Sequence, residues 1–377
     1  MKVLVAGDFA PRARLAKQIE EKRYSDVFPE NLREVIKSVD FSFVNFESPI
    51  VEDTYKPIPK CGPNLHCTPE AAEAIKFAGF TGVTMANNHI LDFGSEGLHK
   101  SVACCKKQGL DVVGVGNCLK DPEEILYIKK SGKTLAVINC CEHEFSIATE
   151  TSAGANPLNP VHQYYAIRKA KDKADYLLVI VHGGHEMFQL PSPRMVETYR
   201  FFIDAGADAV VNHHQHCYSG YEIYNGKPIF YGLGNFCFDE EGQRNCSWNE
   251  GYMVVVDFTD AVVRYELYPY TQCDGKAAVT LMTDKAVFTR TIDAINCIVK
   301  DPLLLKEKCA LYYMSTMKTF NAMLQPYDNR FLNKLFRMGL LPSLFSKRKK
   351  IRVLNYINCE SHYDKFVFAL KQVLSKQ

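Results

Sequence analysis

Several features that would place this sequence in a specialised class are absent. It has a single tryptophan, and its 45 Lys and Arg residues nearly balance 43 Asp and Glu residues, for a net charge of +2. A charge this small predicts no general attraction to nucleic acid, and none to an anionic membrane across the whole surface. Any charged partner must therefore bind at a local site.

Membrane-spanning and disulfide signals are also absent. No apolar run approaches the roughly 20 residues that a transmembrane helix needs, so we expect no transmembrane segment. The first residues, MKVLVAGDFAPRARL, are interrupted early by Asp8 and Pro11 and are not expected to form a signal peptide. The 14 cysteines show neither C-x-x-C spacing nor a compact disulfide framework. We therefore predict free thiols and a cytoplasmic location.

The first part of the chain, to about residue 240, alternates between short apolar runs and longer amphipathic segments. Seven runs are predicted to form buried strands: KVLVAG, FSFVNF, GVTMAN, LDVVGV, TLAVIN, YLLVIV and DAVVNH. Helical patterns such as TPEAAEAIKFAGF lie between them. This alternation predicts an α/β fold with much parallel pairing.

The pattern changes after Tyr218. Asn225-Gly226 separates two strand-like runs and predicts a β-hairpin. From about Asp284 the pattern is helical through Gln377, interrupted by GLLPSLFSKRKK. We therefore predict one domain over residues 1–282 and a helical C-terminal extension over residues 283–377.

Residue types that bind metals follow five of the predicted strands. In open α/β sheets, ligands collect beyond the carboxyl ends of the strands. The residues at those positions are Asp8, then Asn45 and Glu47, then Asn87, Asn88 and His89, then His182, and finally His213, His214 and His216. A mixed cluster of oxygen and nitrogen ligands accounts for all five ends, and that mixture suits Mn, Fe or Zn. We therefore predict a site for one or two divalent metal ions.

Metal-free acid–base catalysis by Glu47 and His89 is the alternative for these residues. It leaves His182, His214 and His216 without a role. The metal site is therefore the better interpretation.

An ordered series of motifs covers the same part of the chain. The motifs are GDFAP, VNFESPI, ANNHILDFGSEGL, VGVG, HGGHE, AGADAVVNHHQH and GKPIFYGLGNFCFD. In order and spacing they resemble the CapA family of capsule and poly-γ-glutamate synthesis proteins, within the calcineurin-like metallophosphoesterase superfamily. The resemblance implies a metallophosphatase-like four-layer α/β/β/α sandwich, to which the helical C-terminal extension is added.

The resemblance also implies roles for individual residues. It implies that one metal is bound by Asp8 and His216 and the other by Asn88, His182 and His214, with Glu47 bridging the two. His89 would then donate a proton or hydrogen bond to the reacting group, and Asp92 would orient His89.

One position departs from the superfamily pattern. Its first motif is Asp-x-His, whereas this chain has Ala10 two residues after Asp8. One ligand of the first metal is therefore missing, and both a mononuclear and a dinuclear centre remain open. His185 or Glu186 could supply the ligand, although a hydrogen-bonding role is the more ordinary expectation for both.

These residues predict a metal-dependent hydrolase of the phosphoesterase type that uses metal-activated water. We expect its substrate to be an anionic small molecule or polymer, linked to capsule or other anionic surface-polymer metabolism. The alternative is a non-catalytic accessory protein that binds the polymer during poly-γ-glutamate or capsular polysaccharide synthesis.

The run SLFSKRKKIR, from Ser343 to Arg352, combines apolar residues with five basic ones. It has two interpretations: a weak contact with a membrane surface or an anionic polymer, or a solvated loop between helices. We favour the loop.

Overall fold

The computed structural model describes residues 1–121, 125–258, 263–327 and 329–374. The chain forms two compact units, Met1–Lys306 and Glu307–Gln377. The last strand ends at residue 281 and the first of the C-terminal helices begins at residue 286, so the change from strands to helices lies beside the predicted boundary at residue 282. The two compact units, however, divide later, after Lys306. The last three residues of the predicted helical extension, 375–377, lie outside the described residues.

Strands and helices alternate through the first unit, as the sequence pattern predicts. The strands are β1 (Lys2–Ala10), β2 (Phe41–Phe46), β3 (Gly82–Thr84), β4 (Asp111–Val113), β5 (Val115–Gly116), β6 (Leu126–Lys130), β7 (Lys133–Cys141), β8 (Gly154–Ala155), β9 (Tyr176–His182), β10 (Ala209–His213), β11 (Tyr221–Tyr224), β12 (Lys227–Phe230), β13 (Asn235–Phe238), β14 (Glu250–Asp257), β15 (Arg264–Gln272) and β16 (Val279–Leu281). The helices are α1 (Ala13–Glu20), α2 (Tyr24–Val27), α3 (Glu30–Lys37), α4 (Glu70–Ala78), α5 (Gly94–Lys107), α6 (Pro160–Lys171), α7 (Pro193–Ala205) and α8 (Ala286–Lys300). All seven predicted strands are present, as β1–β4, β7, β9 and β10.

Two large sheets carry most of these strands. The larger has the order β16-β15-β14-β1-β2-β3-β4, and β13 also pairs with β1. The smaller has the order β11-β12-β10-β9-β7-β6. Strands β1 to β4 are mutually parallel, and so are β7, β9 and β10. Their carboxyl ends therefore lie at one edge of each sheet.

The two sheets face each other between two layers of helices. On β1, Leu4 and Ala6 belong to a buried apolar cluster with residues of α1, α3, α4 and α5, including Leu15, Ile36, Ala74 and Leu98. On the other sheet, α6 packs against β7 and β9, and α7 against β10 and β12. Nε2 of His213 lies 2.9 Å from the Ala6 carbonyl oxygen and so joins the sheets. The expected α/β class and four-layer arrangement are confirmed.

The predicted hairpin is present between β11 and β12, which pair antiparallel. Asn225 and Gly226 form its turn with φ values of +48° and +76°. Positive φ at both central residues is what a type I′ turn requires, and Asn-Gly tolerates it best.

Close packing at the carboxyl edge of the larger sheet depends on Gly7. A Cβ atom at Gly7 would lie 1.8 Å from the carbonyl oxygen of Gly234, in the segment that precedes β13. Because backbone cannot yield as a flexible side chain does, we expect Gly7→Ala to lower the free energy of unfolding by about 3 kcal/mol, measured by chemical denaturation. Gly275→Ala adds a Cβ with nothing within 4 Å, and it should change stability by less than about 0.5 kcal/mol. Equal losses in the two variants would contradict this account.

The second unit is helical. Its segments are the greater part of α9 (Pro302–Met323), followed by α10 (Arg330–Arg337), α11 (Lys347–Asn358) and α12 (Glu360–Leu374). Ser346 caps α11 by accepting a hydrogen bond from the Lys349 amide, so the loop interpretation of Ser343–Arg352 is wrong from Lys347 onward. In the described parts of the chain, no helix combines the length and apolarity needed to cross a membrane.

Candidate metal centre

Strand register brings the candidate ligands to one place. Asp8 pairs with Asn45 on β2 and with Asn235 on β13, so three polar residues lie side by side at the edge of the larger sheet. His182 pairs with His213 at the corresponding edge of the smaller sheet. The chain leaves β2 and β10 directly after these positions. The residues that follow are therefore held between the two sheets.

The structure brings all six predicted ligands together. Possible ligand atoms within 4.8 Å of one another form three groups: Glu47, His182 and His214; Asp8, Glu47 and His216; and Glu186, His214 and His216. The sixth predicted ligand, Asn88, joins them through its Oδ1 atom, which lies 3.0 Å from Nε2 of His182. Two overlapping groups that share Glu47 match the predicted arrangement of two ligand sets around one bridging carboxylate.

Glu47 lies at the centre of the cluster. Its Oε1 atom is 3.8 Å from Nε2 of His182 and 3.8 Å from Nε2 of His216. Both carboxylate oxygens are buried without a hydrogen-bond partner among the described residues. Burial raises the pKa of this carboxyl well above its usual range, and the charge of Asp8 raises the pKa further. A buried carboxylate without donors is costly unless a cation compensates it, so this residue fits a metal ion.

The histidines are held in the neutral form that binds metals. Burial lowers the pKa of His182 well below its usual range, and burial lowers the pKa of His216 to about 4. Nδ1 of His216 lies 2.9 Å from Oδ1 of Asn235. An amide oxygen only accepts, so Nδ1 carries the proton and Nε2 has a free lone pair on the side of Glu47. The His182 ring is held from its other nitrogen: the amide nitrogen of Asn45 lies 3.2 Å from Nδ1 of His182, which accepts, and donates to Oδ1 of Asp8 at 2.8 Å.

The segment after β10 has an unusual backbone. His214 and His216 have φ values of +88° and +55°, in the left-handed region that residues with a Cβ rarely adopt. Nδ1 of His214 is buried without a partner among the described residues. Strained backbone that presents an unpaired imidazole nitrogen is common at functional sites. A bound cation would satisfy this nitrogen as well as Glu47.

Glu144 is a site residue that the sequence reasoning missed. Its Oε2 atom accepts a hydrogen bond of 3.1 Å from the Asn88 amide, and its Oε1 atom lies 3.8 Å from Nε2 of His214. Because the amide nitrogen is engaged, Oδ1 of Asn88 is left facing the cluster. Glu144 follows the end of β7, and applying the strand-end argument to that strand would have found it.

His89 lies beside the cluster in a second polar group. Its Nδ1 atom is 2.7 Å from Oδ2 of Asp92 and 3.1 Å from Nζ of Lys60. Lys60 also donates to Oδ1 of Asp92, and its side chain is only 2% exposed. Asp92 further accepts a hydrogen bond of 2.6 Å from the Leu65 amide. The sequence reasoning paired His89 with Asp92 but missed Lys60, which lies in an irregular segment without any periodic signal.

Ala10 lies in an apolar setting. It packs in a small buried cluster with Leu65, Phe238 and Trp248. Of the two candidates to replace the missing ligand, Glu186 has a carboxylate oxygen close to the ligand atoms of His214 and His216. His185 belongs to none of the three groups found among the described residues.

Comparison with known proteins finds relatives over the part of the chain that carries this site. The family model described as "Bacterial capsule synthesis protein PGA_cap" matches residues 2–240. The capsule biosynthesis protein CapA of Bacillus anthracis is 34% identical over 235 residues, which cover 60% of this chain and 57% of that protein. The PGA biosynthesis protein CapA of Bacillus subtilis (strain 168) is 33% identical over 231 residues, 60% of each chain. This chain thus spans about three fifths of the length of these curated relatives.

A distant likeness to solved structures is also found. A hypothetical protein from Thermus thermophilus aligns with 72% of this chain and 99% of its own, with 14% identity and a TM-score of 0.45.

The family match covers well over half of the chain and includes every residue of the cluster. The predicted resemblance is confirmed: the chain belongs to the bacterial capsule synthesis protein family PGA_cap, the family of CapA.

Proposed function

We propose that this protein is a metal-dependent hydrolase of the phosphoesterase type that acts on an anionic substrate in capsule or other surface-polymer metabolism. The observation that carries the proposal is the buried Glu47 carboxylate, which has no hydrogen-bond donor among the described residues and lies 3.8 Å from one histidine of each ligand group. This geometry suits a carboxylate shared by two cations. Membership in a capsule synthesis family supports the polymer context.

Each of the two ligand groups that contain Glu47 would bind one cation. Glu47, His182 and His214, with the Asn88 amide oxygen, would hold one cation. Asp8, Glu47 and His216 would hold another, with Glu186 nearby. Bound divalent cations supply Lewis-acid polarisation of a phosphoryl oxygen and lower the pKa of water toward neutrality. Since the ligands are preassembled by burial and hydrogen bonds, the chain itself needs little rearrangement to accept cations.

His89 is placed to move a proton beside this centre. Nδ1 of His89 is nearer to Asp92, at 2.7 Å, than to Lys60, at 3.1 Å, and a carboxylate only accepts hydrogen bonds, so the proton is assigned to Nδ1 of His89. Nε2 is then the atom that exchanges a proton with a reacting group. Lys60 and Leu65 hold Asp92 from the other side. The carboxylate, and through it the imidazole ring, therefore has a defined orientation.

The test of this function combines metal content with turnover. Purified protein should contain one or two divalent ions per chain by elemental analysis. With added Mn²⁺ it should hydrolyse at least one class among phosphomonoesters, phosphodiesters and γ-glutamyl peptides. A chelator should abolish that turnover, and restored Mn²⁺ should recover it. Metal-replete protein that turns over none of the three classes would contradict the proposal.

Stability provides a test that does not need the substrate. Because cations bind the folded chain, Mn²⁺ at a hundred times its dissociation constant should raise the free energy of unfolding by about 2.7 kcal/mol. Thermal unfolding with and without Mn²⁺ measures this shift. Mg²⁺ at the same concentration is the matched control and should shift the transition less, because imidazole nitrogen is a poor ligand for Mg²⁺. Equal shifts with the two ions would argue against the histidine-rich site.

A second candidate function is a non-catalytic accessory role in polymer synthesis. The observation that favours it is Ala10, which packs in an apolar cluster at the position where the superfamily pattern has a ligand histidine. A centre with an incomplete ligand set could bind an anionic polymer through the metal without cleaving it. Tight binding of poly-γ-glutamate to metal-loaded protein, together with absent turnover, would favour this role.

A further inference from the structure

The second unit carries a charge opposite to that of the rest of the chain. Residues 307–377 contain 13 Lys and Arg residues against 4 Asp and Glu residues, for a net charge of +9. The whole chain has a net charge of +2, so residues 1–306 carry −7. The net charge of the whole chain is small only because the acidic first unit offsets a strongly basic second unit. The second unit by itself can attract an anionic surface.

Four of these basic side chains converge on one cleft between α9 and α10. The cleft has a volume of about 680 Å³ and is lined by Lys318, Arg330, Lys334 and Arg337, together with Ser315, Thr319, Asn333 and Met338. Among the described residues that line it, every charged side chain is positive, and the polar ones can donate hydrogen bonds. This lining suits a phosphate group, which accepts several charge-assisted hydrogen bonds at once.

The arrangement on α10 is unfavourable without an anion. Arg330, Lys334 and Arg337 follow one another at intervals of four and three residues, so they share one face of the helix. Like charges at that spacing destabilise a helix. A bound phosphate would convert this repulsion into attraction.

Large apolar side chains on α10 and just after it are open to solvent. Phe331 is 66% exposed, and Leu340, just beyond the helix, is 63% exposed. Met338, which lines the cleft, is also 63% exposed. Helices α10, α11 and α12 bury none of their residues. Other large apolar side chains exposed in the second unit include Met317, Phe320, Met323, Leu344, Phe368 and Leu374. Apolar surface of this extent needs a partner that is apolar as well as anionic.

We propose that the second unit binds the surface of a lipid bilayer that contains anionic phospholipids. The cleft between α9 and α10 holds a lipid phosphate, and Phe331 and its exposed apolar neighbours enter the headgroup region. Basic amphipathic helices bind membrane interfaces by this combination of charge and apolar burial. A soluble polyanion would fill the cleft but leave the apolar side chains in water. A neutral bilayer would cover those side chains but leave the four cations unpaired.

Vesicle binding by the full chain tests this inference. We expect the protein to sediment with vesicles of phosphatidylcholine and phosphatidylglycerol, and only weakly with phosphatidylcholine alone. Raising the salt concentration should weaken the binding because it screens the basic side chains. In the triple variant K318Q/K334Q/R337Q, the partition coefficient for the anionic vesicles should fall about 100-fold, since each basic contact contributes about fivefold.

A matched variant separates the cleft from the overall charge. K106Q/K129Q/K169Q removes the same charge at exposed positions of the first unit, and it should weaken vesicle binding by less than about threefold because these residues lie outside the cleft. Equal losses in the two triple variants, or equal binding to neutral and anionic vesicles, would overturn the proposal.

A fluorescent probe distinguishes a bilayer from a soluble anion. The native chain has one tryptophan, Trp248, which is buried in the first unit. In F331W, emission should therefore shift to the blue with phosphatidylglycerol vesicles but not with inorganic phosphate or poly-glutamate. This variant leaves the residues that line the cleft unchanged. It therefore distinguishes bilayer binding from binding of a soluble anion even if the triple variant folds poorly. A blue shift with poly-glutamate and none with vesicles would overturn the proposal in favour of a polymer site.

Discussion

Glu47→Gln is expected to empty the metal centre. Glu47 belongs to both ligand groups that contain the predicted ligands, so its loss weakens two sites at once. Glutamine keeps the size of the side chain but removes the negative charge that offsets the cations. Since loss of even an outer contact costs about 10–100-fold in metal affinity, loss of this shared ligand should cost at least about 1000-fold. Elemental analysis should then find less than about 0.1 ion per chain, and turnover should be lost with the metal.

The stability of the metal-free variant shows whether the fold or the site was lost. In the metal-free protein the Glu47 carboxylate is buried beside Asp8 without a donor among the described residues, which is unfavourable. Metal-free Glu47→Gln should therefore be at least as stable as metal-free wild type, while its stabilisation by Mn²⁺ disappears. Glu144→Ala is the graded comparison: it removes the acceptor of the Asn88 amide but no member of the ligand groups, so binding should weaken about 10–100-fold. Full metal content in Glu47→Gln would contradict the assigned centre.

The location of the site followed from the sequence because parallel strands share one direction. A polar residue just after a buried run must lie at the carboxyl edge of its sheet, so Asp8, Glu47 and His182 could be assigned to one place before any contact was known. Residues 214 and 216 required only one further assumption, that the chain leaves β10 between the sheets. The fold class and the seven predicted strands rest on the same apolar periodicity, and the structure confirms them. The prediction of burial is wrong for β4, which lies at the edge of its sheet with Asp111 exposed.

Contacts between distant irregular segments could not be predicted in this way. Lys60 lies between β2 and α4, where no periodic pattern assigns a direction to its side chain, yet its ammonium group reaches His89 and Asp92 across 29 and 32 residues of sequence. The helix at Lys347 was also missed. A run of basic residues is typical of a solvated loop, and the Ser346 cap that starts α11 is a single local hydrogen bond.

His89→Asn is expected to separate turnover from metal binding. The His89 side chain is in none of the ligand groups found among the described residues, so metal content should stay at the wild-type level. Proton transfer by a positioned side chain contributes about 10²–10⁴-fold to a rate, and kcat should fall by that factor. Asparagine leaves the Lys60–Asp92 ion pair in place, so the melting temperature should change little. Loss of metal from this variant would mean that His89 is a ligand and not the proton-transfer group.

Asp92→Asn should lower stability as well as turnover, unlike His89→Asn, because the Asp92 carboxylate has two hydrogen-bonding partners besides His89. It accepts from the Leu65 amide and pairs with the buried Lys60 ammonium, so its loss leaves a buried cation without a partner. We expect both kcat and the melting temperature to fall, whereas the double variant Lys60→Met/Asp92→Asn should recover stability but not turnover. If the double variant recovered turnover as well, Asp92 would only anchor the segment around Lys60 and Leu65, and the orientation of His89 would not depend on it.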